Sequence, residues 1–416
     1  MDALETRDPS ERERALMAAL PLQVAHAQAH TAAFAELLQG VDASQVTSRA
    51  ALARLPVTRK HELLERQKAK RADDVFGGFS ALGWGTGRSG GRAQRVFQSP
   101  GPIYEPEGEG RDPWRLARAL FAAGFRAGDL AHICFSYHFT PAGAMMESGA
   151  HALGCTVFPG GTGQTEQQVQ AIAELRPAGY VGTPSFLKLI VDKAAELGVA
   201  LPSLHKALVS GEAFPPALRD WLAERGITTY QCYATADLGL IAYETSARQG
   251  LVLDEGVIVE IVRPGTGDPV PEGEVGELVV TTLSAGYPLI RFGTGDLSAV
   301  LPGLCPTGRT NTRIKGWMGR ADQTVKVRGM FVHPSQVAEV VRRFSEVSKA
   351  RLVISGEMAN DRMTLKVETT AAPGQLATRL TEAIRDVTKL RGEVELCTPG
   401  SLPNDGKVID DTRKFE

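Results

Sequence analysis

Leu130-Ala131-His132-Ile133-Cys134-Phe135 is a short apolar run, and the residues from Gly143 to Leu153 after it carry helical spacing that stops at Gly154. Together they read as one strand followed by one helix, with the glycine as its C-terminal stop signal. The unit recurs downstream. Thr156-Val157-Phe158 leads into a helix opened by Thr165, with Gln168 three residues on in a capping-box arrangement. Tyr180-Val181-Gly182 precedes a helix with Pro184 near its start and Gly198 beyond its end, and Ala207-Leu208-Val209 precedes a helix around residues 217–225. Strands alternating with helices through short links predict an α/β fold built on a doubly wound, mostly parallel sheet covered on both faces. Ligands of such folds sit at the carboxyl ends of the strands.

The flanks differ from this core. Residues 1–75 are rich in Ala, Leu, Glu, Arg and Gln with helical periodicity and read as a helical arm. Residues 76–110 hold many glycines together with Arg88, Arg92 and Arg95, and read as loops with short strands. Over 250–302 helical periodicity gives way to Val257-Ile258-Val259-Glu260-Ile261-Val262 and Gly276-Glu277-Leu278-Val279-Val280-Thr281, so a small β subdomain is expected there. The tail alternates strands at 324–327, 351–354, 363–368 and 393–397 with helices at 334–344 and 375–390. The expected organisation is a large domain over 1–318 and a small, mobile α+β lid domain over 319–416.

The chain has 416 residues, with 46 Lys plus Arg against 48 Asp plus Glu and a net charge of −2. No bulk positive field exists to recruit nucleic acid or an anionic membrane, so neither is expected as a partner. The five cysteines, Cys134, Cys155, Cys232, Cys305 and Cys397, are scattered, odd in number and nowhere at metal-ligand spacing. That argues against a disulfide framework and a zinc site, and for a reducing compartment. No apolar run approaches a membrane span and the acidic start is unlike a secretory signal, so a cytoplasmic location is expected.

Five loops fall where the strands of the inferred sheet end: residues 136–143, 159–164, 182–185, 210–216 and 233–237. Their Gly, Pro, Thr and Ser content lets backbone approach a ligand and offers hydroxyl and N–H donors.

Several of these stretches carry a resemblance. In order along the chain stand Leu55-Pro56-Val57-Thr58-Arg59-Lys60, Pro159-Gly160-Gly161-Thr162-Gly163-Gln164-Thr165-Glu166, Thr183-Pro184-Ser185, Ser210-Gly211-Glu212, Tyr233-Ala234-Thr235-Ala236-Asp237, Arg291-Phe292-Gly293-Thr294-Gly295-Asp296-Leu297, and Gly319-Arg320-Ala321-Asp322 through Val327-Arg328-Gly329. The ordered set, over about residues 50–410, resembles the AMP-forming acyl/aryl coenzyme A ligases, in particular the phenylacetate coenzyme A ligase branch of the adenylate-forming superfamily. The resemblance implies that ATP activates a small, aromatic carboxylic acid as its acyl-adenylate, and that coenzyme A then displaces AMP. Such chemistry asks for charge stabilisation at a phosphoryl centre, with Lys, Arg and Mg2+ as its tools.

Carried over by position, Asp296 resembles the acid that binds both ribose hydroxyls and Arg320 the arginine that contacts the nucleotide. Lys407 resembles the catalytic lysine that bridges carboxylate and α-phosphate, and Asp322 the hinge. Ser210, Gly211 and Glu212 with Tyr233, Ala234 and Thr235 resemble the adenine-lining segments. Tyr137, His138, Phe139 and Gly161 fall where the family lines the acyl pocket. Asp237 stands at the catalytic, magnesium-proximal position, one methylene shorter than the usual Glu and preceded by Ala236 rather than Ser or Thr. The phosphate loop also departs: Gly85-Thr86-Gly87-Arg88-Ser89-Gly90-Gly91 replaces Ser-Ser-Gly-Thr-Thr-Gly-Lys, with Arg88 and Arg92 able to meet phosphate by guanidinium. A homodimer is also implied. Two alternatives stay open: transfer to a carrier-protein thiol or an amine, and noncatalytic binding of a nucleotide or acyl-adenylate.

Overall fold

The computed structural model describes residues 1–84, 91–263, 267–321, 323, 325–357, 360–371, 374–403 and 408–413. The chain divides into two compact units, Met1–Gly319 and Arg320–Glu416.

The first unit is organised by a nine-stranded sheet. Its strands are β1 Leu130–Ile133, β2 Thr156–Phe158, β3 Gly179–Gly182, β4 Lys206–Val209, β5 Thr228–Thr235, β6 Gly239–Glu244, β7 Leu251–Leu253, β8 Val300–Leu301 and β9 Arg313–Ile314, in the spatial order β8-β9-β7-β6-β5-β4-β3-β1-β2. From β2 to β5 all pairings are parallel; from β5 to β8 all are antiparallel. The chain runs outward from β1 to β2 and then crosses back to β3. Right-handed crossovers therefore place the helix Ala142–Leu153 on one face, and Thr165–Leu175, Pro184–Glu196 and Pro216–Ala223 on the other. The reversal between β1 and β3 opens a crevice at their carboxyl ends.

Local signals in this half act as expected, with one exception. Gly154 caps its helix at φ 89°, and Thr183 accepts from Phe186 N ahead of Pro184. No capping box forms at Thr165: the cap is Gln164, on left-handed backbone at φ 50° and without a side-chain cap bond. Gln168 spends its amide elsewhere. Its Nε2 donates to the Gly160 carbonyl at 2.9 Å, and its Oε1 lies 2.7 Å from His132 Nε2.

A second sheet pairs Val257–Val262, Gly276–Thr282 and Phe292–Ser298 with the short strand Thr58–Arg59, which runs parallel to Phe292–Gly293. The β subdomain is thus both narrower and wider than the 250–302 reading. Leu251–Leu253 and Val300–Leu301 belong to the large sheet, while the helical arm contributes an edge strand. The helix Pro9–His30 starts on Asp8, whose carboxylate accepts from Ser10 N and Glu11 N, and it buries Leu16, Leu20, Val24 and Ala27 at helical spacing. These pack with Ile258, Leu278 and Phe292 in one core. The buried Arg291 ties arm to sheet, pairing with Glu260 at 2.9 Å and donating to the carbonyls of Ala53 (2.8 Å) and Leu55 (2.5 Å). All its donors of this set are used, which a buried guanidinium requires.

The second unit has a four-stranded sheet in the order Glu393–Cys397, Asn360–Thr369, Val347–Glu357, Ile409–Asp411. The helices Pro334–Arg342 and Leu376–Thr388 pack on each other, and Val340, Leu352, Leu365, Leu380 and Ile384 share its core. The edge strand Ile409–Asp411, parallel to Val347–Glu357, is too short to carry a period and is absent from the sequence reading. Among the described residues, no helix is long and apolar enough to cross a membrane.

Candidate active site

The loops leaving the carboxyl ends of β1 to β5 lie along one edge of the large sheet and are fastened to one another. After β1, Tyr137 is half-buried; burial, and then the Glu147 carboxylate, push its phenol well above the usual range. Phe139 is 75% exposed and holds φ 60°, while its carbonyl accepts from Gln98 N at 2.8 Å. A large aromatic exposed on left-handed backbone departs from ordinary packing, and such departures cluster at ligand sites. His138 beside it is exposed. After β2, Gly161 N donates to the Ile133 carbonyl at 3.0 Å, joining this loop to β1. Behind it, burial lowers the pKa of His132. With Gln168 Nε2 donating to Gly160, Gln168 Oε1 is the acceptor, so neutral His132 carries its hydrogen on Nε2.

The loops after β3 and β4 are joined where Ser185 N donates to Glu212 Oε1 at 2.9 Å. Ser210 Oγ donates to the Cys232 carbonyl at 2.8 Å, fixing the end of β4 against β5. Gly211 follows at φ 85°, a conformation that favours glycine. Near the end of β5 a bulge between Tyr233 and Ala234 re-aims the strand, and the Tyr233 hydroxyl donates to Asp296 Oδ2 at 2.6 Å. The other carboxylate oxygen, Oδ1, accepts from Trp317 Nε1 at 3.1 Å. Ala234 and Thr235 pair with Leu240 and Gly239, and Thr235 Oγ1 accepts from Leu238 N at 3.1 Å, closing the turn that carries Asp237.

Asp237 is 6% exposed. Its Oδ2 accepts from Lys60 Nζ at 2.8 Å, while its Oδ1 is buried with no hydrogen-bond partner among the described residues. Lys60 opens the helix Lys60–Lys70 directly after the edge strand Thr58–Arg59, so the pairing of that strand with Phe292–Gly293 is what delivers the ammonium. Arg59 beside it holds Glu277 at 2.5 and 2.6 Å. A second carboxyl group stands near. Glu105, on the hairpin of Val96–Ser99 and Ile103–Pro106, accepts from Ser99 Oγ at 2.5 Å, and its Oε2 is buried with no hydrogen-bond partner among the described residues. Burial first, and then the charge of Asp237, push the Glu105 carboxyl up to about 8, with Lys60 opposing. The same two carboxyls, after burial itself, raise the phenol of fully buried Tyr287. Among the groups acting on Glu105, Lys60 is the cation set against Asp237.

The structure therefore brings Tyr137, His138, Phe139, Gly161, Ser210, Gly211, Glu212, Tyr233, Ala234, Thr235, Asp237 and Asp296 to the loops and strand ends of the first unit. Arg320 belongs to the second unit. Arg88, Asp322 and Lys407 lie outside the described residues. Sequence reasoning did not single out three residues that meet or act on these carboxylates. Lys60 stood in a recognised segment but carried no assigned role, Trp317 is three positions before Arg320, and Glu105 lies in a stretch without period.

The match to known proteins follows the same division. Residues 115–286 fit the model of the AMP-binding enzymes, and residues 329–412 that of the AMP-binding enzyme C-terminal domain. The phenylacetate-coenzyme A ligase of Aromatoleum evansii is 30% identical over 389 residues, covering 88% of this chain and 84% of that protein. The chain belongs to the adenylate-forming AMP-binding enzymes of phenylacetate-coenzyme A ligase type. The Escherichia coli phenylacetate-coenzyme A ligase is 31% identical over 340 residues, covering 76% of this enzyme and 77% of its own length. A crystal structure of 2-hydroxyisobutyryl-CoA ligase, in complex with 2-HIB-AMP and CoA in the thioesterification state, superposes with a TM-score of 0.83 at 25% identity. It spans 99% of this chain and 92% of the other.

Proposed function

We propose that this enzyme uses ATP to convert a small carboxylic acid into its acyl-adenylate with release of pyrophosphate, and then hands the acyl group to the thiol of coenzyme A with release of AMP. The observation that carries the reading is the juxtaposition of Tyr233 and Asp296 across 2.6 Å, which joins the family's two nucleotide segments at the edge where the parallel strands end. Asp296 receives the ribose hydroxyls, to which a carboxylate is a suitable acceptor. Ser210 to Glu212 and Tyr233 to Thr235 line the adenine. The acid lies beside Tyr137, His138, Phe139 and Gly161, whose aromatic content favours an aromatic acid. Lys407 meets the attacking carboxylate and the α-phosphate, Arg320 and Arg88 meet the nucleotide, and Asp322 is the hinge of the small lid domain.

Magnesium is read into the site on the donor set. Among the described residues no three His, Cys, Asp or Glu side chains gather as a metal cluster. A single carboxylate suffices when phosphates supply the remaining oxygens, and the partnerless Oδ1 of Asp237 fits that role. When bound, the ion would offset charge on the ATP phosphates. Lys60, 2.8 Å from Oδ2, adds a fixed positive charge on the same side. We also propose a cytoplasmic location, on the support of five free cysteines that a reducing compartment keeps reduced.

Pyrophosphate release with and without coenzyme A, over a panel of aryl and alkyl acids, tests the reading. Release with an aryl acid, and thioester only with coenzyme A, is the expected result. Adenylate passed instead to a carrier-protein thiol or an amine would move the acceptor. Lys407→Ala should slow adenylate formation at least about 10²-fold, the scale of losing one preorganised electrostatic partner. Isolated acyl-adenylate should still be converted to thioester by that variant; equal loss in both steps would remove Lys407 from its assigned place.

A further inference from the structure

We propose that Trp317 is a positioning residue for the nucleotide, its indole N–H holding the Asp296 carboxylate in the plane that meets the ribose diol. The inference rests on the reading of Asp296 as the ribose ligand. Asp296 is half-buried on the strand Phe292–Ser298. It accepts from the Tyr233 hydroxyl on Oδ2 at 2.6 Å and from Trp317 Nε1 on Oδ1 at 3.1 Å. The terminal torsion of an Asp side chain is broad and weakly held by sterics alone. One donor could fix an oxygen and leave the plane free to turn; one donor on each oxygen fixes the plane. Both donors are neutral, so they orient the group without taking its charge.

The backbone places Trp317 for this contact. Leu297, next to Asp296, exchanges two hydrogen bonds with the passing chain: Met318 N donates to its carbonyl at 2.9 Å, and its own N–H donates to the Gly319 carbonyl at 2.9 Å. Ser298 Oγ donates to the Gly316 carbonyl at 2.8 Å. Residues 316–319 therefore run beside the end of the Asp296 strand. Trp317 itself is 41% exposed. Its single donor has a specific acceptor, which is what a tryptophan supplies here and a phenylalanine would not. Two vicinal hydroxyls donating to one carboxylate demand its plane, and an orientation set in advance need not be purchased from binding energy.

Trp317→Phe keeps a ring and removes the donor. Calorimetric titration with ATP and with 2′,3′-dideoxy-ATP reads the effect on the same sample, so their affinity ratio does not depend on the folded fraction. The variant should bind ATP about tenfold more weakly, the scale of losing one hydrogen bond to a charged group. Its affinity for the dideoxy nucleotide should change less than about twofold, and kcat at saturating ATP should stay within about twofold of the parent. In an Asp296→Ala background, which deletes the acceptor of the indole N–H, the same substitution should add nothing, because its route of action is gone. Equal weakening toward both nucleotides, or an unchanged ATP affinity, overturns the proposal. Asp296→Ala binding ATP as the parent does would overturn the ribose reading beneath it instead.

Discussion

Two carboxylates of the first unit are held in opposite ways. Asp296 has each oxygen on a neutral donor, Tyr233 and Trp317. Asp237 has one oxygen on the Lys60 ammonium and the other buried without a partner among the described residues, and its charge bears on a second buried carboxyl, Glu105. The first corner is complete as it stands. The second is electrostatically unfinished, and a buried acceptor left unpaired costs stability that packing elsewhere must offset. The difference matches what each would meet. A diol is neutral and selects for geometry, which hydrogen bonds from rigid rings can preset. Phosphates are charged and shift charge during reaction, which calls for ionic groups whose remaining valence the ligand completes.

The contrast breaks most visibly at Asp237. Asp237→Ala should lower the rate of pyrophosphate release by about 10²- to 10³-fold at saturating ATP, because the loss falls on groups acting on the reacting phosphates. Asp296→Ala should act on affinity instead, raising the KM for ATP at least about tenfold with a smaller change in kcat. If the two substitutions gave the same split between KM and kcat, the two corners would not differ in kind.

Lys60 sharpens the comparison through stability. Removing its ammonium leaves Asp237 and Glu105 without the opposing cation, and a buried charge stripped of its partner is destabilising. Lys60→Met should lower the Tm by several degrees, and at pH 9, above the Glu105 carboxyl's value of about 8, adding Glu105→Gln should recover part of that loss. Trp317→Phe, by contrast, should leave the Tm unchanged. Non-recovery in the double variant would separate Glu105 from the pair.

The parallel half of the first unit was legible because each of β1 to β4 is bounded by turn residues and followed by a helix, with stop signals such as Gly154 and Gly198. Local rules failed where a side chain had a distant use. Gln168 matches a capping pattern, but His132 and the Gly160 carbonyl claim it. Two- and three-residue strands such as Thr58–Arg59 and Leu251–Leu253 show no period, so their sheets follow only from pairing. In the site, the order of the motifs singled out Asp296, Tyr233 and Asp237, yet not what touches them. Lys60, Glu105 and Asp237 are far apart in the chain and meet only through the second sheet and the hairpin. No spacing rule could join them, and Trp317 becomes informative only when its indole is seen on Asp296.

The smallest effect is also the most specific to the unfinished corner. Glu105 carries a carboxyl raised from 4.5 to about 8 by burial and by the nearby charge of Asp237. Below about 4.5 the folded and unfolded chains both hold this proton. Between about 4.5 and 8 the folded chain holds it and the unfolded chain does not, so proton binding favours the folded state less and less as the pH rises. The contribution is therefore fully present at low pH and lost as the pH passes through about 8. Glu105→Gln keeps Oε1 for the Ser99 hydroxyl and removes the titration. The variant should melt a few degrees above the parent at pH 8.5 and close to it at pH 5, with a flatter Tm profile between. Its ATP affinity at pH 7 should stay within about twofold of the parent, since the parent side chain is already neutral there. A Tm difference that is the same at pH 5 and pH 8.5 would mean that Glu105 acts through packing, and the second corner would then be no more strained than the first.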